Sequence, residues 1–189
     1  MKILDVIIAV QIIFLVLVSA TGAEEVRLEG VPLDEYNAKL SLNMIISTHE
    51  GKGTGYYSVN KDGLLDGPFR LEARESGYEQ QVDASYSFHS TVGGRFKKGS
   101  KDSVWKYQYR YDDGIDLYED HVIEVVYEEN KCMESVFRGR MGYVMPVTEY
   151  VFHDERFCTP EAIRSRAWQL WSEVYQEHKK HEKGDVVSQ

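Results

Sequence analysis

The chain has 189 residues and a formal net charge of −9 at pH 7, and 12% of its residues are aromatic, with tyrosine the most frequent of them. Such an acidic chain is poorly suited to bind a nucleic-acid backbone or an anionic membrane surface, so we expect neither as its main partner. Its length suits one domain with a hydrophobic core.

The first 23 residues predict a secretory signal peptide. Their apolar run, Val6–Val18, is shorter than the ~20 residues that span a membrane. Small residues stand where a signal peptidase would cut, after Ala20 or Ala23. An uncleaved N-terminal anchor is the alternative. We therefore expect a secreted or periplasmic protein that has no transmembrane segment after cleavage.

The segment that follows has a mixed pattern up to residue 50. Residues 31–35 indicate a short turn or helix. Lys39–Thr48 alternates between apolar and polar residues well enough to predict a strand.

Glycine then occupies alternate positions within Glu50–Gly55, as in some phosphate-binding loops. Phosphate binding by such a loop also needs a Lys-Ser or Lys-Thr pair and a following helix, and neither is present. We interpret this stretch as a hairpin loop that leads into a strand at Tyr56–Asn60 and a turn at Lys61–Gly63.

Two more strands are predicted before residue 90. Phe69–Arg74 predicts the first, and Glu75–Gly77 a turn after it. Gln80–His89 alternates apolar and polar residues, which indicates a half-buried strand.

The clearest strand is Val104–Tyr111, flanked by turn-forming residues at Lys98–Asp102 and Asp112–Gly114. Trp105, Tyr107 and Tyr109 fall on one side of it together with Tyr111, and the residues between them are polar. We expect the aromatic side to be buried. The same rings could instead line a groove for a sugar or a peptide, so Trp105, Tyr107 and Tyr109 are also candidate binding residues.

A further hairpin is predicted from Val122–Glu128 and Met133–Arg138, joined by a turn at residues 129–131. The first of these strands has apolar residues on both sides, which predicts that it is covered on both faces. The succession of turns and short strands favours an antiparallel meander.

Thr159–Lys183 predicts a helix that covers one face of the sheet. Thr159 suits the N-cap, Pro160 the first helical position and Glu161 the first turn. One side of this helix carries an apolar stripe that consists of Ile163, Ala167, Leu170, Trp171, Val174 and His178. Trp168 lies off this stripe and is a candidate contact for a partner. Arg164 also lies off it and is expected to point away from the sheet. Gly184 is expected to end the helix, and residues 184–189 to form a flexible tail.

Cys132 and Cys158 are the only cysteines. In an exported protein we expect them to form a disulfide, and two free buried thiols are the alternative. The histidines and carboxylates form no recognisable catalytic or metal-binding constellation, so we assign no catalytic residue, metal site or cofactor.

A diverged internal repeat connects two of the turns. Residues 62–71 align with residues 98–107, which pairs Gly63 with Gly99 and Phe69 with Trp105. The pattern Gly-x-Phe-Lys-x-Gly-x-x-Asp-x-x-Trp-x-Tyr resembles the MORN-type repeat, in the variant found in bacterial exported and antitoxin-like proteins. In that family each repeat is a short β-hairpin stacked on the next. The two copies lie 36 residues apart (99 minus 63), and we attribute this long spacing to an insertion between Glu75 and Gly93.

The sequence therefore predicts a mainly β protein, an antiparallel hairpin meander of MORN-like repeats over residues 24–158, with one C-terminal α-helix packed on the sheet in the same domain. The resemblance implies a non-enzymatic exported protein that binds or scaffolds another protein. An antitoxin or immunity role is implied by the bacterial variant. An exported hydrolase with a site assembled from scattered carboxylates is the alternative.

Overall fold

The computed structural model describes residues 24–44, 52–80, 83–115, 117–143 and 146–184. The side chains of residues 79 and 177–184 are not part of the description. The predicted signal peptide lies outside the described residues, as does the predicted tail beyond Gly184.

The described residues form eight strands and two helices. The strands are β1 (Glu24–Pro32), β2 (Lys52–Val59), β3 (Leu65–Glu79), β4 (Ala84–Lys97), β5 (Ser100–Asp112), β6 (Tyr118–Glu128), β7 (Lys131–Met141) and β8 (Thr148–Phe152). The helices are α1 (Leu33–Lys39) and α2 (Pro160–Gly184), and a 3-10 turn at Glu155–Phe157 precedes α2.

All eight strands belong to one antiparallel sheet in chain order, which confirms the predicted meander. Alternate connections of a meander lie at the same end of the sheet. The turns at residues 60–64, 98–99 and 129–130 therefore share one end, here called the lower end. The connections from β3 to β4, from β5 to β6 and from β7 to β8 share the other, the upper end.

The hairpin of β3 and β4 explains the long spacing of the repeat. Its two strands pair without interruption from Gly67 opposite Phe96 to Glu79 opposite Ala84. The predicted turn at Glu75–Gly77 is therefore wrong, because these residues continue β3. The strand predicted from Gln80 begins only at Ala84. The additional residues expected between Glu75 and Gly93 thus lengthen both strands of this hairpin.

The two copies of the repeat occupy equivalent places. Gly63 and Gly99 lie in turns at the lower end and have positive φ angles of 75° and 84°, a region that favours glycine. The paired aromatic residues, Phe69 and Trp105, stack with ring centroids 5.7 Å apart. The repeat in the sequence thus corresponds to a contact in the core.

β5 has the predicted alternation. Trp105, Tyr107 and Tyr109 are buried on the inner face of the sheet, and the residues between them are exposed. The preceding turn is shorter than predicted, because only Lys98 and Gly99 separate β4 from β5. Lys101, assigned to that turn from the sequence, lies in the strand with its side chain buried.

The outer face of the sheet carries charged residues that pair across strands, and it also exposes Val104 and Val151. Lys106 and Arg138 flank Glu124 at 3.6 and 3.2 Å, and Arg138 also pairs with Glu149 on β8. Val122, on the same face of β6, is only half-buried. The expectation that β6 is covered on both faces is therefore wrong.

The segment before β2 differs most from the sequence prediction. The mixed stretch from Glu24 is strand β1, which still includes Val31 and Pro32, and the predicted turn or helix at residues 31–35 begins only at Leu33, the first residue of α1. The strand predicted over Lys39–Thr48 is wrong for its described part, because Lys39 ends α1 and residues 40–44 form no strand. The predicted glycine loop is also wrong from Lys52 onward, where β2 has begun.

α1 and residues 40–44 cover the inner face of the first strands. Leu33, Leu42 and Met44 are buried there. The Asn37 side chain holds this segment, because its amide nitrogen donates to the Met44 carbonyl at 3.1 Å and its oxygen accepts from the Met44 amide at 2.8 Å.

α2 covers the last strands, and the predicted helix is confirmed. The Ala162 amide donates to the Thr159 hydroxyl at 3.3 Å, as an N-cap requires. Ile163 and Ala167 are fully buried, but Val174, further along the predicted stripe, is exposed. The Cys132–Cys158 disulfide is confirmed and ties β7 to the start of α2. Within the described residues, no helix is both long and apolar enough to cross a membrane.

Candidate functional site

Exposed apolar side chains cluster at the upper end of the sheet, on two neighbouring turns. Ile115 and Leu117 lie between β5 and β6, and Tyr143 and Val147 lie between β7 and β8. Ile115 is 53% exposed and Val147 is 65% exposed. We call these four residues the turn patch. Exposed apolar side chains that lie near one another mark interaction sites more often than isolated ones do.

Local hydrogen bonds order the first of these turns. One oxygen of the Asp113 carboxylate accepts from the Ile115 and Leu117 amides, each at 2.9 Å, and the Asp113 amide donates to the Leu117 carbonyl. Gly114 has a φ of 71°, and a Cβ there would lie 2.6 Å from the Ser85 carbonyl oxygen, so only glycine fits. Hydrogen bonds thus hold the described residues of this turn on both sides of position 116.

Three contacts connect the second turn to the first. The Tyr143 ring stacks on Tyr118 with centroids 5.3 Å apart, and its hydroxyl donates to the Asp112 carboxylate. The Gly142 amide donates to the Tyr118 carbonyl at 2.6 Å. Gly142 and Tyr143 are therefore held against the strands that flank the first turn.

The surroundings of this surface are negatively charged. The hydrogen bond to Asp112, with the charges of Asp112 and Asp113, raises the pKa of the Tyr143 hydroxyl to about 12. An apolar surface bordered by carboxylates suits a partner that presents apolar and basic side chains.

A second polar feature is a buried ion pair between the sheet and α2. Glu119 on β6 is almost fully buried, and Arg164 binds it with two hydrogen bonds, the Nε–H donating to Oε2 at 2.7 Å. The Arg164 guanidinium also lies over the Tyr109 ring, 5.4 Å from its centroid. The prediction that Arg164 points away from the sheet is therefore wrong.

His121 lies beside this pair, between the rings of Tyr109 and Phe137 at 5.2 and 5.1 Å. Neither ring nitrogen has a hydrogen-bond partner among the described residues. Burial, and then the positive charge of Arg164, lower the pKa of His121 to about 3. The imidazole is therefore neutral at physiological pH. Because Glu119 is bound by Arg164, this group offers no free carboxylate for general-base catalysis.

A third polar feature is the buried side chain of Lys101, at the lower end of the inner face. Its amine donates to the Leu42 carbonyl at 3.3 Å and to the Tyr107 hydroxyl at 3.4 Å. The rings of Trp105 and Tyr127 lie 4.9 and 5.3 Å from it. We call this group the lysine cage. Burial lowers the pKa of Lys101 to about 8.

The residues predicted as binding candidates do not share one surface. Trp105, Tyr107 and Tyr109 are in the core, where Trp105 also packs edge-on against Phe96 at 4.9 Å. Trp168 lies on α2, half-buried against the core and in edge contact with Trp171. A binding role for these four residues stays a prediction.

The sequence did not reveal the turn patch, although a signal was present. Apolar residues inside a turn, as in Asp112-Asp113-Gly114-Ile115-Asp116-Leu117, have no strand or helix that would bury them. The Asp and Gly residues predict the turn, but they carry no information on where the Ile115 and Leu117 side chains lie.

The chain matches no family model, and comparisons with curated proteins and with solved structures also find no match.

Proposed function

We propose that the chain is an exported, non-enzymatic binding protein built on MORN-like hairpins, and that it docks a partner protein through the turn patch. The observation that carries the proposal is the cluster of four exposed apolar side chains on two hydrogen-bonded turns. All four side chains are exposed, and hydrogen bonds of Asp113 and Tyr143 hold the turns that carry them.

Two further observations support parts of this proposal. The equivalent positions of Gly63 and Gly99, and the stacking of Phe69 on Trp105, support a hairpin repeat of the MORN kind. The disulfide supports export, since disulfides persist in oxidising compartments.

Paired variants test the docking surface. We expect Ile115→Ser combined with Val147→Ser to reduce capture of the partner from the exported fraction at least tenfold, because the apolar contact area is lost. Leu64→Ser is the matched control, since Leu64 is 48% exposed but lies in a turn at the lower end. Quantitative mass spectrometry of the captured protein, with thermal melting of each variant, gives the comparison. Equal capture by the patch variant and the control, at unchanged melting temperatures, would refute the turn patch as the docking surface.

A further inference from the structure

The direction of α2 brings its second half to the upper end of the sheet. Just before the helix, Cys158 is bonded to Cys132, and its carbonyl accepts from the Tyr127 hydroxyl at 3.1 Å. Both contacts adjoin the lower-end turn between β6 and β7. Arg164 then binds Glu119, which stands next to the first residue of β6, at the upper end. α2 therefore runs from the lower end toward the upper end.

Most of the helix follows this ion pair. Twenty residues separate Arg164 from the end of α2 at Gly184 (184 minus 164), and at about 1.5 Å per residue they span about 30 Å. Among them, Trp168 and Leu170 still pack against the core. The second half of α2 thus reaches the end of the sheet that carries the turn patch.

This half of α2 has an apolar side of its own. Val174 and Tyr175 follow Trp171 by three and four residues, which places all three on one side of the helix. Val174 is 50% exposed, and the Trp171 ring stacks on Tyr175 with centroids 5.5 Å apart. We call these three residues the helix stripe. An apolar stripe of this kind normally packs against another element.

The charge of this part of the helix complements that of the turn patch. Residues 178–184 contain three lysines and one glutamate, in a chain whose net charge is −9. The turn patch is bordered by Asp112 and Asp113, whose carboxylates accept from the Tyr143 hydroxyl and from the Ile115 amide. The second half of α2 therefore combines apolar and basic residues, as a partner of this patch should.

We propose that the partner docked at the turn patch is a second copy of this chain, whose helix stripe lies on the patch. A two-fold axis relates the copies, so each gives its stripe to the patch of the other and the contact is made twice. Within one copy the stripe does not cover the patch, since Val174 and Val147 both stay exposed. The inference rests on the proposed docking function and names its partner.

The association state of the purified, disulfide-bonded protein tests the proposal. We expect a dimer in sedimentation velocity at about 100 µM, a concentration at which an interface of micromolar affinity is occupied. Val174→Glu should raise the dissociation constant of the dimer roughly tenfold or more, because it sets a carboxylate against those of Asp112 and Asp113. Leu64→Glu is the matched control and should leave the constant unchanged, since Leu64 is 48% exposed at the lower end.

Mixed variants test whether the contact is reciprocal. The double variant Ile115→Ser with Val147→Ser should weaken the dimer as Val174→Glu does. In an equal mixture of these two proteins, a dimer of one copy of each keeps one of its two contacts intact. The mixture should therefore contain more dimer than either protein alone. An unchanged dimer in the double variant, or no gain in the mixture, would overturn the proposed pairing.

The same proteins separate this inference from the proposed function. A wild-type protein that is monomeric at about 100 µM overturns the inference. The proposed docking stands in that case if Ile115→Ser with Val147→Ser still reduces capture of another protein from the exported fraction. Unchanged capture by this double variant, together with a monomeric wild type, would refute both.

Discussion

His121 is a buried imidazole that stays neutral, and this makes the stability of the protein depend on pH. Its folded-state pKa is about 3, below the ordinary value of about 6.5. The unfolded chain therefore binds a proton below pH 6.5 that the folded chain does not bind until about pH 3. The contribution of His121 is fully present above pH 6.5 and is lost as the pH falls toward 3.

We expect the free energy of unfolding to fall by about 2 kcal/mol between pH 6.5 and pH 5 through His121 alone. His121→Phe keeps the ring between Tyr109 and Phe137 but cannot titrate, so it should remove this part of the pH dependence. Urea unfolding at a series of pH values measures the difference. His153→Gln is the control, because His153 is largely exposed. Parallel pH profiles for wild type and His121→Phe would show that the imidazole is not buried as described.

Single residues were predictable from the sequence where one local pattern decided their environment. Trp105, Tyr107 and Tyr109 belong to this group, since alternation within one strand places them on a common face. Glu119 and Lys101 do not. Their burial depends on Arg164, 45 residues away, and on Leu42, 59 residues away, and no local pattern encodes such contacts.

The element that depends most on one polar contact is α2. Arg164 joins the helix to a carboxylate buried within the sheet, and removal of one partner leaves the other charge without compensation. We expect Arg164→Met to reduce the free energy of unfolding by about 3 kcal/mol, because Glu119 stays buried. The measurement is urea unfolding at neutral pH.

The double variant Glu119→Leu with Arg164→Met distinguishes the charge effect from lost packing. Replacement of both partners by apolar residues is often close to neutral, so most of the loss should be recovered. A cost below about 0.5 kcal/mol for Arg164→Met alone would mean that the ion pair does not anchor the helix.

Elements were predicted well where they begin or end with a strong local signal. Thr159 and Pro160 marked the start of α2, and Asn130 with its neighbours marked the turn between β6 and β7. The boundaries of β3 and β4 were missed because Gly77 suggested a turn. In the structure Gly77 accommodates the Tyr86 ring, whose hydroxyl would lie 2.6 Å from a Cβ at that position. A glycine that serves packing and a glycine that serves a turn look the same in a sequence.

The meander of the whole molecule followed from the succession of turns, because neighbouring strands in the chain pair with each other. The succession of turns did not predict which segment covers the inner face of the sheet. α1 and residues 40–44 fold back over the sheet and bring Leu42 to Lys101, and the alternation of Lys39–Thr48 gave no sign of this path. The turn patch was missed for a related reason, since its two turns are adjacent only because β5 to β8 pair in order.

The aromatic and apolar residues fall into two groups, those on the inner face and those in the turn patch. Those on the inner face build the scaffold, and those in the turn patch form the proposed docking surface. Trp105 is central to this division, since it is fully buried, contacts Phe69 and Phe96, and donates its indole N–H to the Arg95 carbonyl at 3.1 Å.

Urea unfolding of Trp105→Ala tests this division most directly. We expect a loss of roughly 3–5 kcal/mol in the free energy of unfolding, as truncation of a large buried aromatic residue generally causes, and any loss of partner binding would be secondary to the loss of fold. A Trp105→Ala protein that unfolds at the same urea concentration as wild type but no longer binds its partner would contradict it, because the inner face would then be the binding surface and not the core.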